Sequence, residues 1–269
     1  MTLLGWSAAL AGAVGYGVAS LLQAVGSARA TGPAVLRQPA YVAGLALDGL
    51  AWLASLVALR VLPLFVVQAA LGGSVAVTVV LAHRFLRAPL RRRDAGSIVL
   101  LVAALAVLAG AFLSGRPAAA AGLTAWALSV LVGLALALAA GYHRAGSLPL
   151  AVIAGFAFSG AAVCARGVDL SGGPTTVAAQ PLAWALLGFG AVGTLGYARS
   201  LERGPVGPAT AALWSVESVV AGVAGVLVLG DTVRPGWTVA ATVAAVVSVL
   251  SCAALATSPA EKTLEPSGP

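Results

Sequence analysis

VGPATAALWSVESVVAGVAGVLVLG, residues 206–230, carries a single charged residue, Glu217. A helix needs about 20 consecutive, mainly apolar residues to cross the hydrocarbon core of a bilayer, and Val206–Leu229 meets that length. Runs of the same kind occur at Leu3–Ala24, Tyr41–Val61, Leu64–Phe85, Gly96–Ser114, Leu123–Gly141, Leu148–Ala165, Leu182–Ser200 and Gly236–Thr257. Pro, Gly and Arg punctuate the breaks between them, as expected of helix ends. Strands of a membrane barrel would alternate polar and apolar residues over about ten positions; these runs are continuous and too long. The expected fold class is all-α, a polytopic membrane protein of about nine transmembrane helices. The first run has no basic segment before it and reads as a retained helix rather than a cleaved signal.

The composition agrees. Of 269 residues, 60% are hydrophobic and 9% charged, against roughly 25% charged in soluble chains. Mean hydropathy is +1.02. A soluble core of this size would need a charged surface that this chain cannot supply. The net charge of +7 raises the question of nucleic acid, but the basic residues flank apolar runs, and no nucleic-acid partner is expected. Cys164 and Cys252 lie far apart in apolar runs, with no disulfide framework and no CxxC metal spacing.

Lys and Arg in short loops set orientation. One set of helix ends holds Arg29, Arg37, Arg84, Arg87, Arg91, Arg92, Arg93, Arg144, Arg199, Arg203 and Lys262; the other holds Arg60, Arg116, Arg166 and Arg234. The richer set is expected in the cytoplasm, which puts the N-terminus outside and the C-terminus inside the cell membrane. The Arg91-Arg92-Arg93 cluster reads as an orientation signal, with a lipid-headgroup site as the alternative.

A weak repeat crosses the chain. TGPAVLRQP (31–39) ends at Pro39 before the second run, and GGPTTVAAQP (172–181) ends at Pro181 before the seventh. Each following helix stops shortly before another proline, Pro63 and Pro205, and polar turns recur at Arg84–Asp94 and Asp231–Trp237. The repeat pairs runs one to four (about 3–114) with six to nine (about 148–257) around a linking helix at 123–141. The period covers five helices, so equivalent helices cross in opposite directions. That is an inverted-topology repeat, the architecture of many secondary transporters. Residues 1–257 then form one transmembrane transporter domain, and the polar stretch 258–269 is a disordered cytoplasmic tail.

SVESVVAGVAGVLVLGD (215–231) resembles the end of an EamA-like member of the drug/metabolite transporter superfamily. Glu217 and Asp231 stand at the positions of that pattern's two acids; Ser218 stands where the family usually has proline, and Trp237 where it often has glutamine. The stretch YVAGLALDGLAWLASLVALRVLPLFVVQAALGGSVAVTVVLAHRFL (41–86), with GAVGYGVASLLQ (12–23) before it, is similar to the NIPA-type magnesium transporter branch. Together the similarity covers Gly12–Ser251. The superfamily commonly has ten helices in five plus five; a chain without the first would have an outside N-terminus, as the arginine distribution also requires. The resemblance implies transport of a small metabolite or of a cation such as magnesium.

Ionisable groups inside a bilayer cost roughly 2.5–3.5 kcal/mol on insertion scales and are candidates for function. Glu217 lies near mid-helix with Trp214, Ser215 and Ser218 beside it. It suits proton coupling, or cation binding if ionised; a structural carboxyl hydrogen-bonded to a neighbouring helix is the competing reading. Asp48, placed about 10 Å into the second helix at 1.5 Å per residue, is either a substrate-path residue or an interfacial partner of an arginine. Gln23 and Gln68 either line a cavity or bond between helices; the repeat places Gln68's helix opposite Glu217's. Tyr197 reads as an interfacial anchor and a weaker site candidate, and His143 and Asp231 as solvated or interfacial helix-end residues. Gly12, Gly15 and Gly17, and Gly188, Gly190, Gly193 and Gly196, form small-residue faces for close packing or a moving seam. GFGAVG at Gly188 has nucleotide-loop spacing but no preceding strand.

No HExxH, catalytic carboxylate pair or Ser–His–Asp set is present, so no enzyme and no cofactor are expected. The leading expectation is a secondary transporter working by alternating access. Glu217 would be its coupling or binding group, Gln68, Trp214 and Gln23 cavity residues, and Asp48 a residue of the cytoplasmic path. Its metal ligands, if any, are undetermined. The expected partners are the bilayer, a small-molecule or cation substrate, and a second copy if it dimerises. A divalent-cation transporter and a non-transporting membrane scaffold are the alternatives.

Overall fold

The computed structural model describes residues 2–27, 29, 37–113, 123–169, 173–204 and 206–259. Arg116, Pro205, Lys262, most of the TGPAVLRQP segment and residues 260–269 of the expected tail lie outside the described residues. Ser258 is buried against the last turn of its helix, its N–H donating to Leu255 O at 2.9 Å, so the polar tail does not begin there.

The helices are α1 (Thr2–Ser27), α2 (Pro39–Leu59), α3 (Leu64–Gly72), α4 (Ser74–Leu86), α5 (Arg92–Ala111), α6 (Leu123–Gly141), α7 (Ser147–Gly167), α8 (Gly173–Ala179), α9 (Pro181–Glu202), α10 (Val206–Leu227) and α11 (Thr238–Ala256). Among the described residues, eight spans are long and apolar enough to cross a membrane: α1, α2, α3 and α4 as one span, α6, α7, α9, α10 and α11. Leucine, valine and tryptophan side chains such as Leu3, Leu50, Trp184 and Val239 stand exposed on their surfaces. In water such a surface would be untenable; in lipid it is the solvated one. This is the character of a multi-pass membrane protein. α5 is not among the eight. Its 20 residues open with Arg92, Arg93 and Asp94.

The third run differs from the expected continuous helix. It breaks at Gly73 between α3 and α4, within Gly72-Gly73-Ser74, a pairing of small residues at which helices commonly kink. The fourth run ends at Ala111 rather than Ser114, because Phe112–Leu113 forms a short strand, β1, antiparallel to β2 (Thr232–Val233). α8 occupies most of the GGPTTVAAQP segment that precedes the seventh run.

α2 and α9 begin alike. Gln38 (φ −76°, ψ 122°) and Gln180 (φ −84°, ψ 121°) are N-caps in extended conformation, each followed by proline at the first helical position. A residue before proline is driven out of the α region, and proline at the first turn loses no intrahelical bond, so Gln-Pro sets both starts.

Every residue of α3 is buried, and the α3–α4 span is the most enclosed, with 78% of its window inside the protein. α1 packs on α2 and on α3 and α4, while α7 packs on α9 and α10. α3 and α10 run antiparallel: a Cβ on Gly225 would meet Leu64, one on Gly222 would meet Phe65, and one on Gly72 would meet Trp214. α5 and α11 also run antiparallel, with Gly110 beside Trp237, Leu108 and Ala104 near Ala244, and Ser97 and Leu100 across a small groove from Leu250 and Ser251.

The expected small-residue faces pack closely. A Cβ on Gly12 or Gly15 would approach Leu71 or Ala51 within 2.9 Å, and one on Gly193 would come 2.8 Å from Phe158. Gly188 faces Leu131 of α6, whereas Gly190 has open space.

Candidate functional site

α3 and α10 meet at mid-depth on a polar pair. Glu217 is the twelfth of the 22 residues of α10 and is 8% exposed; Gln68 is 3% exposed. The Gln68 amide stands near the Glu217 carboxyl. Gln68 Oε1, also buried, has no hydrogen-bond partner among the described residues. Buried polar groups are costly unless paired, and an amide offering two donors and an acceptor is spent on one carboxyl here.

Two further helices close on the pair. The Tyr16 phenol of α1 lies in electrostatic range of both Glu217 and Asp48 and near Ser55. Ser55 itself donates to Trp52 O at 2.6 Å. Asp48 is half-buried and tenth of the 21 residues of α2. It stands about 14 Å from the helix start at 1.5 Å per residue, deeper than the 10 Å read from the sequence, because α2 begins at Pro39. Trp214, one turn before Glu217, packs beside Gly72 and Cys252. Gln23 sits elsewhere on α1. A Cβ on Gly44 of α2 would meet its side chain at 2.7 Å, so Gln23 serves the α1–α2 contact.

α7 supports the cluster from behind. Ser159 donates to Glu217 O at 3.1 Å and to Gly155 O at 2.9 Å. A Cβ on Gly155 would meet Leu213 O at 2.8 Å. Glycine there lets α7 and α10 approach closely enough for the serine bond.

A second polar centre lies at one end of the helices. Arg166 and Asp231 form an ion pair at 2.7 Å with both side chains 2% exposed. Asp231 Oδ2 also accepts the backbone N–H of Leu64 at 2.8 Å. Asp231 thus caps α3, whose N-cap, Pro63, makes no side-chain cap bond. A carboxylate is favoured there by the helix dipole. Asp231 is therefore buried at its helix end, not solvated as one of the two readings from sequence had it. The same end gathers Arg60, which donates to Val168 O, and Arg234, whose N–H donates to Ala111 O at 2.8 Å. Burial pushes the Arg60 guanidinium down from its ordinary range, and the charge of Asp169 pulls it back.

At the opposite end Arg199 lies 4.9 Å over the Tyr142 ring and pairs with Glu202, and Arg203 donates to His143 O at 2.8 Å. His143 is exposed there. Tyr197, read as an interfacial anchor, instead meets Thr210 Oγ1 at 2.6 Å and ties α9 to α10.

The residues missed from sequence are Tyr16, Ser55, Ser159 and Arg166. Tyr16 carried a readable signal, a phenol flanked by Gly15 and Gly17 inside an apolar run. Chemically, the central cluster offers two carboxyls, a phenol, an amide and an indole, suited to a proton or a cationic or hydrogen-bond-donating ligand. Among the described residues, no group of three or more His, Cys, Asp or Glu could hold a metal ion.

No protein-family model, curated protein or solved structure matches this chain.

Proposed function

We propose that the chain is a secondary transporter of a small metabolite or cation, working by alternating access, with Glu217 as its coupling or binding carboxyl. One observation carries this reading: Glu217 is buried at mid-helix against Gln68, on helices drawn from the two ends of the chain. Ionisable groups at such depth line substrate paths and proton relays. Tyr16, Asp48 and Trp214 complete the lining.

The reading includes nine crossings, with α5 as the ninth, and an inverted repeat. Its supports are the matched Gln-Pro starts of α2 and α9 and the antiparallel pairs α3–α10 and α5–α11, which join the helices that the repeat pairs across the two halves. It also includes membership of the drug/metabolite transporter superfamily, supported by the SVESVVAGVAGVLVLGD pattern, and an outside N-terminus, supported by the arginine distribution. Two carboxyls, Asp48 and Glu217, whose charges both act on Tyr16 favour magnesium or another divalent cation as the second reading; among the described residues no group of three metal-binding side chains forms, which favours an organic substrate.

The test is a proteoliposome flux screen with and without a pH gradient. Substrate-dependent proton flux that Glu217→Gln abolishes supports the proposal. Metal uptake lost in Glu217→Ala and indifferent to the pH gradient selects the divalent reading. Flux intact in Glu217→Gln refutes the assignment of Glu217.

A further inference from the structure

The polar ties between the first five helices and the last five are concentrated at one end. There Leu64 N–H donates to Asp231, Arg60 donates to Val168 O, and Arg234 N–H donates to Ala111 O. The β1–β2 pairing adds a backbone splint immediately after Asp231. At mid-depth the thiol of Cys252 reaches Gly72 O at 3.4 Å. Among the described residues, the charged side chains at the opposite end bond within their own half: Arg199 with Glu202, Arg203 with His143 O and Ala145 O, and Arg93 with Asp94.

We infer that the Arg166–Asp231 pair, clamped on the Leu64 N–H, is the gate that shuts the path from the Glu217 cluster to the face of the membrane where Arg60, Arg166 and Arg234 lie. Among the described residues, polar ties across the halves are densest at that end. Asp231 is their keystone because it joins three elements: the end of α7 through Arg166, the start of α3 through Leu64, and the turn after α10 on which it stands. The device is reversible on energetic grounds. A buried ion pair gives up nearly as much hydration as it gains in attraction, so parting the pair into water exchanges one set of interactions for another of similar strength. Arg166 Nε, buried and without a hydrogen-bond partner among the described residues, leaves the closed arrangement short of full satisfaction. Opening moves Asp231 off Leu64, and α3 carries Gln68 on its next turn, so gate and cluster share a helix.

The inference rests on the transporter reading in taking the cluster as accessible to water in some state. It is tested by labelling a reporter. In full-length protein with Cys164→Ala and Cys252→Ala, Ser55→Cys supplies a thiol beside Tyr16. A membrane-impermeant methanethiosulfonate reagent is applied to either side of oriented proteoliposomes. The gate predicts slow labelling from the Arg166 face and faster labelling from the other. Adding Asp231→Asn, which keeps an acceptor for Leu64 N–H but discards the charge, raises the Arg166-face rate about tenfold, as a modest shift of a two-state equilibrium does. Equal rates from that face with and without Asp231→Asn overturn the gate while leaving the transporter reading intact. A reporter labelled from neither face in any variant overturns both. Should Asp231→Asn fail to fold, Arg60→Cys with Asp169→Cys is bridged by a bifunctional thiol reagent. Persistent labelling from the opposite face with the Arg166 face silenced supports the gate; continued Arg166-face labelling overturns it.

Discussion

Gln68 of α3 and Glu217 of α10 lie near each other between two antiparallel helices. Replacing Glu217 by Gln keeps the volume and the polar contact while discarding the titratable group. Proton-coupled flux should fall by tenfold or more, which corresponds to about 1.4 kcal/mol or more, while the thermal midpoint in detergent stays near that of the parent. Gln68→Leu should do the reverse in stability. It strands the carboxyl without its donor, a loss of about 1–3 kcal/mol readable as a lowered midpoint by differential scanning fluorimetry.

Asp231→Ala removes both the partner of a buried guanidinium and the cap of α3. Breaking one side of such a pair costs on the order of 3–5 kcal/mol. The variant should unfold well below the parent temperature or express poorly. Replacing both partners with apolar residues of similar volume (Arg166→Met with Asp231→Leu) should recover much of the loss, since no lone charge is then buried. A double variant as unstable as the single one would show that the cap of Leu64, not the pairing, dominates.

The glycines divide by what surrounds them. Gly155→Ala drives a methyl to 2.8 Å from Leu213 O and should cost about 1–3 kcal/mol by overpacking, with the Ser159 bond to Glu217 O weakened as α7 recedes. Gly190→Ala meets nothing within 4 Å and should leave the midpoint unchanged. Scanning fluorimetry of the two variants side by side distinguishes them.

Sidedness has its own check. Single cysteines at Arg93 and Asp169, in a background lacking Cys164 and Cys252, should label from opposite faces of intact cells, with position 169 reached from outside. Labelling of position 93 from outside would reverse the orientation drawn from the arginines.

Much of this architecture is legible in hydropathy alone, because lipid demands long apolar helices and leaves their lengths on view. Glu217 and Gln68 stand out for the same reason: a polar residue inside such a run has little ordinary use. Tyr16 is hidden because a phenol in an apolar run also reads as a packing aromatic, and its neighbours on α2 and α10 are set by tertiary contact. Arg166 and Asp231 are hidden differently. They stand at helix ends, where charge is ordinary, and nothing local reveals that residues 65 apart in the chain meet in a dry contact. The interruption at Gly73 and the end at Ala111 are set by local backbone and by the pairing of β1 with β2, so hydropathy places the spans but not these details.

The cap of α3 comes from a residue 167 positions later in the chain. A ribosome delivers the helix long before it delivers the carboxylate. α3 therefore enters the membrane without the carboxylate acceptor of its Leu64 N–H, and it stays in that condition until the turn after α10 has been made. The first half of the protein is an unfinished intermediate throughout synthesis of the second, and its completion is timed by translation rather than by its own sequence. Chains truncated before residue 231 should accordingly be substrates for membrane quality-control proteases even when all of the first five helices are present.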